Sequence, residues 1–139
     1  MSQAACPYCK KDESLEKFAI EITQMRVSTL YLFKEQSHKG RIVVAYNGHV
    51  GDLTELNESE RNDFFADVAQ ASTAIQKAFA PDKVNYGAYG DTMHHLHFHL
   101  VPKYQNEYEW GGCFEGNPGL VYLSESKYHD LIKTLLLYL

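Results

Sequence analysis

The sequence predicts an α+β fold: an antiparallel sheet of about five strands, a long central helix and a C-terminal helix, in one domain over residues 1–139. Three observations predict it. Short alternating apolar segments crowd the first third of the chain. One stretch of helical periodicity follows, and two more extended segments come after it. Strands and helices are thus segregated, unlike the strict alternation of a doubly wound parallel sheet. Finally, 45% of the residues are hydrophobic, with ten Tyr and seven Phe, and aromatic side chains suit a pleated surface. A chain of this length buries about 70% of its unfolded surface, so it needs neither a disulfide nor a metal merely to fold.

Residues 18–25 (FAIEITQM) and 27–33 (VSTLYLF) read as two strands joined tightly near Gln24–Arg26. Residues 41–47 (RIVVAYN) read as a third, opened after Lys39-Gly40 and closed at the turn pair Asn47-Gly48. Asn57 with Glu60 three residues on has the form of a capping box. Beyond it Phe64, Val68, Ala71, Ile75 and Phe79 recur at helical spacing as one buried face, with Phe65 at its edge, until Pro81 stops the helix. Residues 83–88 and 95–101 read as strands, the second ending near Pro102. Ser124 caps a last helix that reaches Lys133–Leu137 and turns Leu131, Ile132 and Leu135 inward.

The formal net charge is −5, which argues against a nucleic-acid duplex as partner, because such binding needs clustered Lys and Arg. A small phosphate ester needs only local donors and stays open. The polar N-terminus MSQAACPYCKKDE is not expected to act as a signal peptide, and no apolar run is long enough to span a membrane. Three cysteines, two of them in Cys6-x-x-Cys9, do not form a secreted disulfide framework, so a reducing cytoplasm is the expected compartment.

The chemistry concentrates in residues 95–101 (HLHFHLV). Successive strand side chains point to opposite faces. His95, His97 and His99 therefore share one face, and Leu96, Phe98 and Leu100 the other. Just upstream, Gly87-Ala88-Tyr89-Gly90-Asp91-Thr92 offers glycines, a hydroxyl and backbone N–H groups suited to an anion. Three readings fit such a row. The imidazoles bind a catalytic transition metal; one is a nucleophile whose neighbours hold a charged substrate; or they are plain solvent-facing histidines. Cys6-x-x-Cys9 is equally ambiguous on its own, between a redox pair, buried thiols and metal ligands. Cys113 reads as a partly buried free thiol, and Tyr108-Glu109-Trp110-Gly111-Gly112 as cover for a leaving group or packing at a subunit contact.

HLHFHLV resembles the signature of the histidine triad (HIT) family, three alternating histidines with apolar residues between and after them. Gly90, Asp91 and Thr92 fall where that family carries a glycine, a polar residue and a Ser or Thr. The resemblance implies a nucleotide phosphoester or phosphoramidate hydrolase, or a nucleotidyl transferase, in which His97 attacks phosphorus and forms a covalent nucleotidyl-histidine. It implies that His99 donates to phosphate oxygens or the leaving group, that Gly90 and Thr92 bind phosphate, and that Asn85 matches a phosphate-contacting Asn of some members. Some bacterial members hold a structural zinc through two N-terminal cysteines, a histidine after the third strand and the first triad histidine. Here those are Cys6, Cys9, His49 and His95, a closed set that would pin the N-terminus and leave catalysis metal-independent. A homodimer is the implied assembly.

The sequence departs from the family pattern at the usual ribose-binding position, which holds Phe33 and Lys34, and at a Gly-His step that is Gly40-Arg41. The first change keeps a non-catalytic nucleotide-binding or interaction module open beside the enzyme.

Overall fold

The computed structural model describes residues 1–139. Five strands form one sheet: β1 (Ala19–Gln24), β2 (Ser28–Phe33), β3 (Ile42–Tyr46), β4 (Lys83–Gly87) and β5 (His97–Lys103). Their spatial order is β1-β2-β3-β5-β4, with every neighbouring pair antiparallel. Two one-turn helices, α1 (Pro7–Lys10) and α2 (Glu13–Glu16), precede the sheet. The long helix α3 (Glu58–Phe79) separates β3 from β4, and α4 (Glu125–Leu136) closes the chain. No helix is long and apolar enough to cross a membrane.

The expected α+β architecture is therefore present. The α3 start is set locally. Asn57 accepts from the Glu60 backbone N–H, and Glu60 bonds back to the Asn57 N–H, both at 2.9 Å. Ala80 leaves the helix with a left-handed backbone, φ 47°, just ahead of Pro81. Ser124 caps α4 by accepting from the Lys127 N–H.

The sheet buries both faces. Leu30, Leu32, Ile42, Val44, Val84, Leu96 and Leu100 pack with α3 and α4 around Phe64, Ala71, Ile75 and Leu135. The opposite face carries Tyr31, Phe33, Val43 and Ala45 against Cys6, Tyr8 and Leu15 of the N-terminal segment. Every β2 residue is consequently buried.

One finding adds to the sequence reading of α3. Asp67 lies on its buried face, wholly inaccessible. Its carboxylate accepts from the backbone N–H groups of Arg26 and Val27 and from the Ser28 hydroxyl, at 3.2, 3.0 and 2.7 Å. It thereby ties the β1–β2 turn to the helix. Phe65 lies at the edge of that face, 44% exposed. The last strand also differs, starting two residues later than read and running through Pro102 to Lys103. Proline is tolerated because β3 pairs with β5 only as far as Ile42↔Leu100. Beyond that point β5 has one neighbour, β4, and the missing N–H faces no ladder. Cys113 is exposed rather than partly buried, in the loop that follows β5.

Candidate active site and metal centre

β5 carries His97 and His99 beside the middle of the sheet, opposite Ala45 and Val43 of β3. His95 stands just before the strand, where Tyr46 N–H donates to the Leu96 carbonyl and Leu96 N–H to the Val50 carbonyl. The extended path is thus kept. His95 and His97 are buried on the face covered by Tyr8, whose ring centroid lies 5.2 Å from one imidazole and 5.1 Å from the other.

The protons on these rings follow from their partners. His97 Nδ1 lies 2.5 Å from the His95 carbonyl oxygen. A carbonyl only accepts, so Nδ1 carries the proton and Nε2 keeps its lone pair. Burial holds the His97 pKa below the ordinary imidazole value, which favours this neutral form. His99 is arranged the opposite way. The Arg41 guanidinium donates to His99 Nδ1 at 3.1 Å, so the His99 proton sits on Nε2. Burial first, and then the Arg41 charge, push the His99 pKa down to about 3. The pair is therefore an imidazole with a free lone pair beside an imidazole with a free N–H.

Both line a cleft of about 420 Å³ with Tyr8, Phe18, Phe33, Tyr89, Gly90, Thr92, Met93, Gly116 and Asn117. Gly90 has φ +154°, a conformation that a side chain disfavours. Phe33 meets His99 edge-on at 5.3 Å. The cleft thus brings together His97, His99, Gly90 and Thr92. It does not include Asn85, which shares a face with His99 but pairs one step further along the sheet, opposite Val101. Asn85 lines a separate hollow with Lys83, Lys103, Trp110, Gly111 and Gly112. A larger hollow of about 650 Å³, bordered by Phe79, Val121 and Leu131, contains no histidine or cysteine.

Cys6, Cys9, His49 and His95 converge, with all four ligand atoms within 4.8 Å of one another. Cys6 Sγ and Cys9 Sγ lie 3.3 and 3.6 Å from His95 Nδ1. His49 Nδ1 lies 3.3 Å from Cys9 Sγ and 3.3 Å from His95 Nδ1. Tetrahedral zinc, with bonds of about 2.3 Å to sulfur and 2.0–2.1 Å to nitrogen, sets neighbouring donors roughly 3.4–3.8 Å apart. The donor set and its spacing fit that ion. His95 Nε2 faces the Tyr46 carbonyl at 2.7 Å and must donate to it, which leaves Nδ1 as a lone pair aimed into the cluster. Such an outer hydrogen bond fixes the ligating nitrogen. With His95 turned this way and His97 Nδ1 bonded to backbone, the three imidazoles do not converge as ligands of one ion.

Sequence reasoning missed several residues of the site. Arg41 is 1% exposed. Its guanidinium lies over the Phe33 ring at 4.2 Å and near Phe114 at 5.0 Å, and donates to the Glu115 and Gly116 carbonyls at 3.1 and 2.7 Å. Gly87, already marked in the sequence, lies opposite His99, and a Cβ there would stand 2.5 Å from Phe114 Cζ. Tyr8 was legible only as a spacer between two cysteines.

The HIT domain family model matches residues 22–106. Solved structures agree in fold at low identity. A histidine triad protein of Sinorhizobium meliloti superposes with a TM-score of 0.84 at 19% identity, over 92% of this chain and 95% of that one. A hypothetical histidine triad nucleotide-binding protein of Sulfolobus tokodaii gives 0.73 at 19%, over 94% and 89%. A zinc-bound histidine triad family protein of Mycobacterium smegmatis gives 0.71 at 20%, over 98% and 96%. No curated protein shows significant sequence similarity.

Proposed function

This chain belongs to the HIT-domain family, and we propose that it is a nucleotide phosphoester or phosphoramidate hydrolase, or a nucleotidyl transferase, acting through a covalent adduct on His97. The observation that carries this reading is the hydrogen bond from His97 Nδ1 to the His95 carbonyl, which leaves Nε2 with the lone pair that a nucleophile needs.

In the first step the Nε2 lone pair forms a bond to phosphorus. The bond from phosphorus to the leaving oxygen or nitrogen breaks, its electron pair departs with that atom, and a leaving nitrogen takes up a proton from solvent. The ring keeps its Nδ1 proton and becomes cationic, steadied by the His95 carbonyl. Water then forms a new bond to phosphorus, the electrons of the N–P bond return to the imidazole, and a water proton passes to solvent. His99 Nε2–H donates a hydrogen bond to a phosphoryl oxygen throughout. Gly90 and Thr92 complete the cradle, where charge gathers on oxygen in the transition state. Asn85 lines the separate hollow and takes no part in this step.

Zinc at Cys6, Cys9, His49 and His95 would be structural, supplying a cross-link and no open coordination position. It would hold His95, hence the carbonyl that orients His97, and would clamp Tyr8 against the imidazoles. Thiols serving as ligands suit a reducing cytoplasm. Pairing into a homodimer belongs to the same reading, through α3 and the β4 edge, where Phe65 and Tyr86 stand 44% and 49% exposed. Light scattering that found only monomer would remove that part.

The test is His97→Ala assayed on nucleoside phosphoramidates and dinucleoside polyphosphates. The expected result is wild-type turnover of at least one class, lost in a variant with an unchanged circular dichroism spectrum. Turnover surviving in the variant overturns the covalent route. If the wild type binds nucleotide but turns over none of the panel, the chain is a binding module instead.

A further inference from the structure

Arg41 is an expensive residue to bury. It is 1% exposed, no carboxylate forms an ion pair with it, and its Nε–H has no acceptor. Glu35 and Glu109 act on it only at range, and desolvation lowers its pKa to about 10. Glu35 is spent elsewhere, accepting from Ser37, Leu120 and Val121. Glu109 faces His38 at 2.7 Å. An unpaired buried cation costs stability, and a well-packed apolar residue of like volume is often the more stable choice. A local rule broken this way, at the wall of a cleft, points to function rather than folding.

The remaining donors show what the cation is for. One Nη reaches both His99 Nδ1, at 3.1 Å, and the Gly116 carbonyl, at 2.7 Å. The other reaches the Glu115 carbonyl at 3.1 Å. Phe33 and Phe114 flank the plane. A guanidinium never offers an acceptor and stays charged at neutral pH, so the imidazole nitrogen it faces can only be unprotonated.

We propose that Arg41 is a positioning residue, which fixes His99 as a neutral imidazole with its proton on Nε2, ready to donate to the phosphoryl group, and anchors the 115–117 segment that forms the cleft wall. The proposal rests on the phosphorus-directed reading of the site. Its structural half can nonetheless be tested without substrate. The carbonyl of Gly116 is held directly by the guanidinium, and Gly116 and Asn117 line the cleft. One side chain thus sets both the donor and the wall beside it. A lysine could keep the charge but not the planar fork that meets a ring nitrogen and two carbonyls together.

The experiment is long-range ¹H–¹⁵N correlation spectroscopy of the histidine rings in the zinc-loaded protein at neutral pH, for wild type, Arg41→Met and Arg41→Lys. The expected wild-type signature is a bare Nδ1 and a protonated Nε2 on His99. In Arg41→Met that signature is expected to move toward a tautomer mixture or the doubly protonated ring, while His97 keeps its own. Turnover of any substrate found with the phosphoramidate and polyphosphate panel is expected to fall roughly tenfold, short of the 10²–10³-fold cost of deleting a whole oxyanion donor. Arg41→Lys should lie between, and it serves if the methionine variant fails to fold.

A protonated Nδ1 on wild-type His99 overturns the proposal outright. So does a signature unchanged in both variants, which would make Arg41 a purely structural residue, and so does a changed signature with unchanged turnover. Failure of the His97 adduct would sink the proposed function while leaving the His99 signature intact, so the two failures can be told apart.

Discussion

If Cys6, Cys9, His49 and His95 hold the proposed zinc, removing it should loosen the N-terminal segment more than the sheet. The structure sets the site of the effect. Without a cation, His49 Nδ1 and the lone pair of His95 Nδ1 face one another at 3.3 Å, with two sulfur atoms beside them. The larger core, built from sixteen buried residues between the sheet and the helices α3 and α4, contains none of these ligands, so the metal-free chain still has a core to fold around. Binding linkage sets the magnitude. Free zinc at a thousand times its dissociation constant stabilises the bound state by about 4 kcal/mol. The assay pairs elemental analysis of the purified protein with urea unfolding in buffered zinc and in chelator. One zinc per chain is expected, together with a clear fall in the unfolding midpoint on chelation. Cys6→Ser with Cys9→Ser should abolish both. Hydrogen exchange should then rise first in residues 3–18, which include Tyr8. Full-occupancy zinc in the double serine variant, or a midpoint indifferent to chelator in protein shown to hold zinc, would show that these four residues hold no stabilising zinc.

Asp67→Ala should destabilise the fold by about 3–4 kcal/mol in urea unfolding, because it strands the Val27 N–H and the Ser28 hydroxyl and frees the β1–β2 turn from α3; a loss under 1 kcal/mol would contradict that account. Acid should erode stability through His99. Its folded pKa, pushed down to about 3, lies below the unfolded value near 6.5. The unfolded chain therefore binds the extra proton as pH falls through 6.5, and stability drops by up to about 1.4 kcal/mol per pH unit toward pH 3. His99→Gln should flatten that slope between pH 6.5 and 5, and equal slopes in variant and wild type would dispose of the assignment. Gly87→Ala should cut turnover with little change in secondary structure, since the added Cβ displaces Phe114; unaltered kinetics would show that this wall does not matter.

What the sequence made legible was local or periodic. The Asn57–Glu60 cap lies within one turn of chain, and the alternation of His95, His97 and His99 with Leu96 and Leu100 fixes which side faces the core whatever the partner strands. The Cys6, Cys9, His49 and His95 quartet was legible only through resemblance, because Cys6 and His95 are 89 residues apart. Arg41 and Asp67 escaped for one reason. Periodicity treats a charged residue as solvent-facing, whereas their partners are supplied by segments far along the chain, 58 residues away for His99 and about 40 for the β1–β2 turn. Asn85 shows the limit of offset counting. Two residues before Gly87 on β4, it lines the hollow beside Trp110 rather than the cleft. Pro102 was read as a strand end, but only the pairing of β3 shows that its ring sits where no N–H is needed.

The proposed covalent route requires a bond between His97 Nε2 and phosphorus. Rapid acid-free quenching of wild type with a nucleoside phosphoramidate, followed by intact-mass and peptide mass spectrometry, tests it most directly. One nucleotidyl group per chain is expected on His97, absent from His97→Ala and from heat-unfolded protein. A protein that turns over the compound with no adduct at any quench time, or that carries the group on a different residue, would contradict it.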